Sequence, residues 1–382
     1  MFYLLVFPVL LEKPIVRSRY SYQVGGNLPW DSPVYICRQA DIDLYEAIRQ
    51  HRFATVLGPR QMGRSSLRVH TRHRLESAGY CCATVYGTQL LDSPQDYYRW
   101  DKQLSALVWD SLRPNESARL AQWLQDTEGL LPQQRLERFT RELIQPILTE
   151  APVVVFIDVA ESLLDVPFLA NDVFEWIWYC RCLRKIYSIY ERLNFVVLGN
   201  VISTDLIKSE ALLHSGRAIT LTNFKIEDTA PLQQGFASHM VEPAQLMKAI
   251  FRWTDGQPLL TQKLCGLVST LLNEFETPAQ PTASLSASLE QWVSHLVTTS
   301  VIETWNRQDN LSYLWDICYL LTRSQYKKPL MAMYRRILAD QPVKLNGDRL
   351  QAELMLSGLA IACDGHLCSG NDIYRHIFGA LT

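Results

Sequence analysis

The chain has 382 residues, 48% of them apolar and 20% charged, with a formal net charge of −2. That length holds two or three domains, each with its own core, in an ordinary globular composition. The near-balanced charge supplies no global pull toward nucleic acid or an anionic membrane, so only local patches remain for either.

Residues 2–11 (FYLLVFPVLL) are apolar but too few to span a bilayer, and they contain Pro8. No basic stretch precedes them and no small-residue cleavage site follows. They read as a peripheral packing segment or a start-site artefact within an N-terminal extension, residues 1–34, rather than as a membrane anchor.

From 35 to 225 the pattern is that of an α/β domain. Apolar, β-rich runs fall at Phe53–Leu57, Tyr80–Tyr86, Pro152–Ile157, Asn194–Gly199 and Arg217–Leu221, with helical patterns between them. Short apolar strands alternating with helices imply a parallel sheet covered on both faces. Residues 226–275 are helical and broken at Asp255-Gly256-Gln257-Pro258, where glycine then proline ends one helix and starts the next. Residues 276–288 are rich in Pro, Ser and Ala and read as a linker. Residues 289–382 are helical and close on helix, short strand, Asp-Gly turn, short strand, helix. The nine cysteines form no CxxC pair and no zinc spacing, so reduced thiols in a cytoplasmic protein are expected.

The chemistry-bearing motif follows the first strand. Gly58-x-x-x-x-Gly63-Arg64-Ser65 leads into a helix opening Ser66-Leu67-Arg68. Glycines let the backbone wrap phosphates, and the first amides of the helix point at them. Gly58, Gln61, Met62, Gly63, Arg64, Ser65 and Ser66 are the expected phosphate contacts, with the Ser65 hydroxyl on Mg²⁺. A coincidental glycine turn is the competing reading, and the strand, spacing, serine and helix together weigh against it. Arg64 stands where the motif has lysine. A forked, planar guanidinium is not a conservative exchange for a compact ammonium in a tight loop.

A second carboxylate completes the pattern. Asp158 ends the apolar strand that begins at Val153, the form of a Mg²⁺-holding element. A glutamate that activates water commonly follows; here Val159 does, and it can neither accept a proton nor orient water. Glu161 is the nearest replacement, but a solvated or salt-bridged glutamate is the favoured reading. Asn200, after the next strand, suits either a polar sensor of the terminal phosphate or a helix cap.

With these residues go Tyr22–Pro29 (YQVGGNLP), Tyr35–Asp41 (YICRQAD), Leu198–Asn200, Asp205–Ile207, Gly216–Leu221 and Trp253–Cys265 (WTDGQPLLTQKLC). Together they make residues 20–378 similar to the AAA-like P-loop module of bacterial signalling proteins, close to the STAND class of NTPases. The resemblance implies a P-loop NTPase sheet of the additional-strand type, then a helical lid, then a C-terminal winged helix. It implies Mg-ATP or ADP as ligand, with Tyr35 and Arg38 near the adenine, Pro258 of a GxP element approaching the nucleotide, and Arg217 responding to the γ-phosphate. The family usually has lysine at Arg64 and an Asp-Glu pair at Asp158-Val159, so both departures fall on catalysis. Many relatives carry fused repeat or effector domains. Here output is expected through this chain or a separate protein.

Outside the loop, Arg323, Lys327, Lys328, Arg335 and Arg336 form a basic cluster interleaved with Tyr326 and Tyr334. DNA phosphates would suit it, but a solvated helix face is the favoured reading. Trp176, Trp178, Tyr179, Tyr187 and Tyr190 read as core or partner packing, and His70 with His73 as helix surface. The expectation is an ATP/ADP-dependent switch with weak or no hydrolysis, acting on a protein partner or as a homo-oligomer, without a membrane. A nucleotide-free interaction scaffold and a DNA-associated ATPase are the alternatives.

Overall fold

The computed structural model describes residues 20–90, 100–159, 167–199, 216–237, 241–274, 285–323 and 326–380. Strands β1 (Ala54–Leu57), β2 (Cys81–Tyr86), β3 (Val153–Val159), β4 (Leu193–Gly199) and β5 (Arg217–Thr220) form one sheet in the order β2-β3-β4-β1-β5. Every pairing is parallel. β4 lies between β1 and β3, the extra strand that the sequence led us to expect.

Side-chain alternation assigns the two faces. Val153, Val155 and Ile157 pack with Leu193, Phe195 and Val197 in one core, while Val154 and Phe156 join Val196 and Leu198 in the other. Helices α1 (Gln39–Arg49) and α2 (Arg64–Ser77) cover the second face. The first is covered by α3 (Trp100–Leu112), α4 (Ser117–Asp126), α5 (Pro132–Phe139), α6 (Gln145–Glu150) and α7 (Pro167–Arg184). Strands buried on both sides have no polar face, which is why their runs read as continuously apolar.

The aromatic group at 176–190 divides. Trp176 is buried and donates to Thr140 Oγ1 at 2.8 Å, and the buried Tyr190 donates to Gln145 Oε1 at 2.8 Å. Trp178 and Tyr187 are exposed.

The second half contains α8 (Ala230–Gln233), α9 (Pro243–Thr254), α10 (Pro258–Glu274), α11 (Leu285–Val297), α12 (Tyr313–Arg323), α13 (Lys327–Leu338) and α14 (Arg349–Ser357). An antiparallel hairpin, β6 (Ala360–Cys363) and β7 (His366–Ser369), turns at Asp364-Gly365 and leads into α15 (Asp372–Gly379). One core holds all of this: Leu246, Leu260 and Leu264 pack in the same cluster as Val297, Leu314 and Phe378. Val34 and Ile36 belong to this core and not to the sheet. The stretch read as a linker is described only from Leu285, where α11 begins. The N-terminal apolar run at 2–11 lies outside the described residues.

Between α9 and α10 the chain reverses through Asp255 (φ 47°) and Gly256 (φ 73°). A side chain at Gly256 would collide with the carbonyl oxygen of Phe224, whose own N–H donates to Gly256 O at 2.8 Å. This close approach is the physical reason for a glycine there.

A buried ion pair fixes the helical layer. Arg135 of α5 meets Asp101 of α3 with both side chains almost fully buried, and also donates to the carbonyls of Thr127, Glu128 and Leu130. Removing one partner strands a buried charge. Arg135→Met should cost about 3–5 kcal/mol in denaturant unfolding, and adding Asp101→Leu should recover most of that loss.

Candidate functional site

β1 ends at Leu57 and the chain turns through Gly58–Gly63 into α2. Gln61 (φ 61°) and Gly63 (φ 80°) are left-handed. Gly63 is the residue preceding α2, and a Cβ on it would lie 3.2 Å from Arg38 Nη2. The first amides of α2 have no intrahelical acceptor, and the helix dipole adds positive charge there, so this turn presents unbonded N–H donors at a positive helix end.

Three remote groups hold the loop. Arg38 Nη1 donates to Met62 O at 2.8 Å and to Thr222 O at 3.2 Å. Gln257 Nε2, from the turn before α10, donates to Gln61 O at 3.2 Å. Arg60 forms an ion pair with Asp316 of α12. Arg38 is itself buried, lies 5.5 Å above the Phe224 ring, and receives help from Asp41, whose Oδ2 accepts its backbone N–H at 2.8 Å. Tyr35 donates its hydroxyl to the other oxygen of Asp41. Burial first, then that carboxylate, pushes the phenol far up, so it remains a donor.

The motif carboxylate, Asp158, and the guanidinium, Arg64, feel one another's charge. Burial pulls the Arg64 guanidinium down, opposed by Asp158. Burial pushes the Asp158 carboxyl up, opposed by Arg64 and Arg68. Arg64 Nη1 is a buried donor with no hydrogen-bond partner among the described residues. An unsatisfied buried donor costs about 1–3 kcal/mol, and a phosphate oxygen would satisfy it. Ser66 is already engaged, since its Oγ accepts the Leu28 N–H at 3.0 Å. Ser65 precedes it on α2, half-buried.

A cleft runs from the loop toward the second-half helices. Its walls are Gly25, Gly26, Leu28, Tyr35, Ile36 and Arg38 on one side, Gln61, Gly63 and Ser66 at the loop, and Phe224, Pro258, Leu259 and Gln262 opposite. The segment bearing Gly25 and Gly26 (φ 87° and 71°) is pinned over α2 by ring stacking: Tyr35 on His70 at 3.4 Å and Trp30 on His73 at 3.8 Å. The two histidines are thus stacked partners, not a bare helix surface, and among the described residues no group of three metal-ligating side chains exists. Across the loop a further cavity of about 480 Å³ separates Pro59, Arg60 and Met62 from Gly358, Ala360–Ala362 and Tyr374 of the C-terminal hairpin region.

The loop residues, Tyr35, Arg38, Asp158 and Pro258 therefore converge. Arg217 does not. It pairs with Ala54 at the start of β1, three residues before the loop end at Leu57, or about 10 Å away. Its guanidinium binds Asp43 of α1 at 2.7 Å. The reason is register: the residue heads its strand, whereas phosphate contacts gather where strands end. Glu161 and Asn200 lie outside the described residues; the backbones leading to them end at Val159 and Gly199, paired with each other, and Gly199 with Leu57. Lys327, Lys328, Arg335 and Arg336 are exposed on α13, while Tyr334 among them is buried. Gln257, Phe224, Gln262 and Asp316 escaped the sequence reading as site residues. For Asp316 no signal existed, because its partner Arg60 lies 256 positions away.

Residues 23–380 match the family model described as the AAA-like domain, and the chain belongs to that family. It is 32% identical over 362 residues to an uncharacterized WD repeat-containing protein of Synechocystis sp., a match covering 94% of this chain and 30% of that protein. The chain thus spans under a third of that relative's length. Among solved structures, the Walker-type ATPase PABY2304 of Pyrococcus abyssi superposes with a TM-score of 0.55 at 12% identity, covering 94% of this chain and 99% of that one. The Aeropyrum pernix ORC2 protein, in its ADPNP–ADP complexes, gives 0.45 at 12% identity over 90% of this chain and 93% of that one. The first likeness establishes the fold, that of a P-loop ATPase with parallel sheet and a helical part. Among the described residues no helix is long and apolar enough to cross a membrane.

Gly63→Ala forces a side chain into a left-handed residue beside Arg38. Chemical denaturation should show a loss of about 1–2 kcal/mol. An unchanged midpoint would mean that the loop relaxes freely.

Proposed function

We propose that the chain is an ATP/ADP-binding switch module, close to the STAND class, which hydrolyses slowly or not at all and reports its nucleotide state to a protein partner in the cytoplasm. The observation that carries this reading is the set of bonds on the phosphate loop. The loop is held at once by the segment before α1, by the turn before α10 and by α12, so phosphates arriving there act directly on contacts between the two halves. A ligand shifts such an arrangement only through its different affinity for the two states.

The residues present fit a nucleotide. The loop amides and Arg64 would hold the phosphates, the latter through its unpartnered Nη1. Asp158 and Ser65 would hold Mg²⁺, which neutralises phosphate charge when bound. Arg38 and Pro258 would line the nucleoside side. The C-terminal helices and hairpin are read as a winged helix docked against the loop.

Two features argue for slow turnover. Val159 replaces the water-activating glutamate, and Arg64 replaces the lysine that sits as a point charge between phosphates. Phosphate release measured with Mg-ATP should therefore be near background in the wild type and rise at least about tenfold in Val159→Glu. Enzyme-like turnover in the wild type, with no gain in the variant, would contradict the switch reading.

The Arg60–Asp316 pair is partly exposed on both sides, so its own worth is about 1 kcal/mol or less. Asp316→Asn should leave the melting temperature nearly unchanged. It should increase protease cleavage between the halves in the nucleotide-free protein.

A further inference from the structure

We infer that Gln262 selects the base: its amide oxygen accepts the exocyclic amine of an adenine and turns a guanine away. The inference rests on the cleft being a nucleotide site.

Gln262 lies on α10, five residues beyond Gln257, so about 7.5 Å of helix separates it from the residue that touches the phosphate loop. It lines the same cleft and is only 5% exposed. Its Nε2 donates to Val34 O at 3.2 Å. A backbone carbonyl can only accept, so this bond fixes which end of the amide is oxygen. The oxygen, Oε1, is buried and has no donor among the described residues.

A buried acceptor without a donor is costly, and a ligand that supplies an N–H removes the cost. Leu28, Ile36, Phe224 and Leu259 line the cleft with it and offer apolar surface for a flat ring. Adenine carries an amino donor at its six position. Guanine carries a carbonyl there, which would set two acceptors against each other and leave both unsatisfied. Sites built to bond one group reject analogues lacking it far more strongly than apolar pockets reject a change of size.

The test is competition binding of ATP, GTP and purine riboside triphosphate, which lacks only the amine, to the full chain. Wild type should bind ATP about tenfold or more tightly than either competitor. Gln262→Leu should bring the three within about threefold of one another. Gln262→Glu keeps an acceptor while losing the donor to Val34, and should retain the preference for ATP. A merely structural role would weaken all three ligands in parallel and leave their ratios alone. Equal binding of ATP and purine riboside triphosphate by wild type, or a preference that survives Gln262→Leu, would overturn this inference and leave the nucleotide site standing. Failure of all three triphosphates to bind would overturn both.

Discussion

The carbonyl oxygens of Gln61 and Met62 each accept a bond from a distant part of the chain, Gln257 in one case and Arg38 in the other. These two bonds constrain everything around them. They fix the loop between β1 and α2 in a conformation with two left-handed residues. They tie the helical second half to the loop that follows the interior strand β1, and they draw the segment from Gln23 to Arg38 over the top of α2. The cleft exists because these three pieces meet at one loop.

The magnitudes suit a device that changes state. The sheet is buried on both faces and the second half has its own continuous core, so each is independently cohesive. The contacts joining the halves at the loop are few: one hydrogen bond, from Gln257 to the Gln61 carbonyl, and one partly exposed ion pair between Arg60 and Asp316. A hydrogen bond contributes about 1 kcal/mol net, and an exposed pair no more. A nucleotide bound at micromolar affinity brings about 8 kcal/mol. Even a fraction of that, felt differently in two arrangements, outweighs the contacts at the loop.

Much of this was legible in the sequence, for identifiable reasons. Parallel strands buried on both faces write continuous apolar runs, and β1 to β4, like the half-exposed edge strand β5, lie within a residue or two of the expected ends. The hairpin after α14 was marked by Asp364-Gly365, and the α9–α10 break by Gly256 and Pro258. The loop was marked by its glycines, which the left-handed backbone at Gly63 explains. What was not legible depends on long-range packing. Arg217 looked like a phosphate sensor by resemblance, yet register places it at the wrong end of its strand, paired to Asp43. Arg60 and Asp316 carry no mutual signal across 256 positions. Gln262 looked like one more polar residue on a helix. Only burial, with one end of its amide bonded and the other not, sets it apart.

Whether this loop binds adenine nucleotide is decided by isothermal titration of the purified chain with ATP and with ADP in the presence of Mg²⁺. One site per chain is expected, with a dissociation constant in the micromolar range or below. The absence of any binding heat or competition at millimolar nucleotide would contradict it, and would leave the loop as the retained frame of an interaction scaffold.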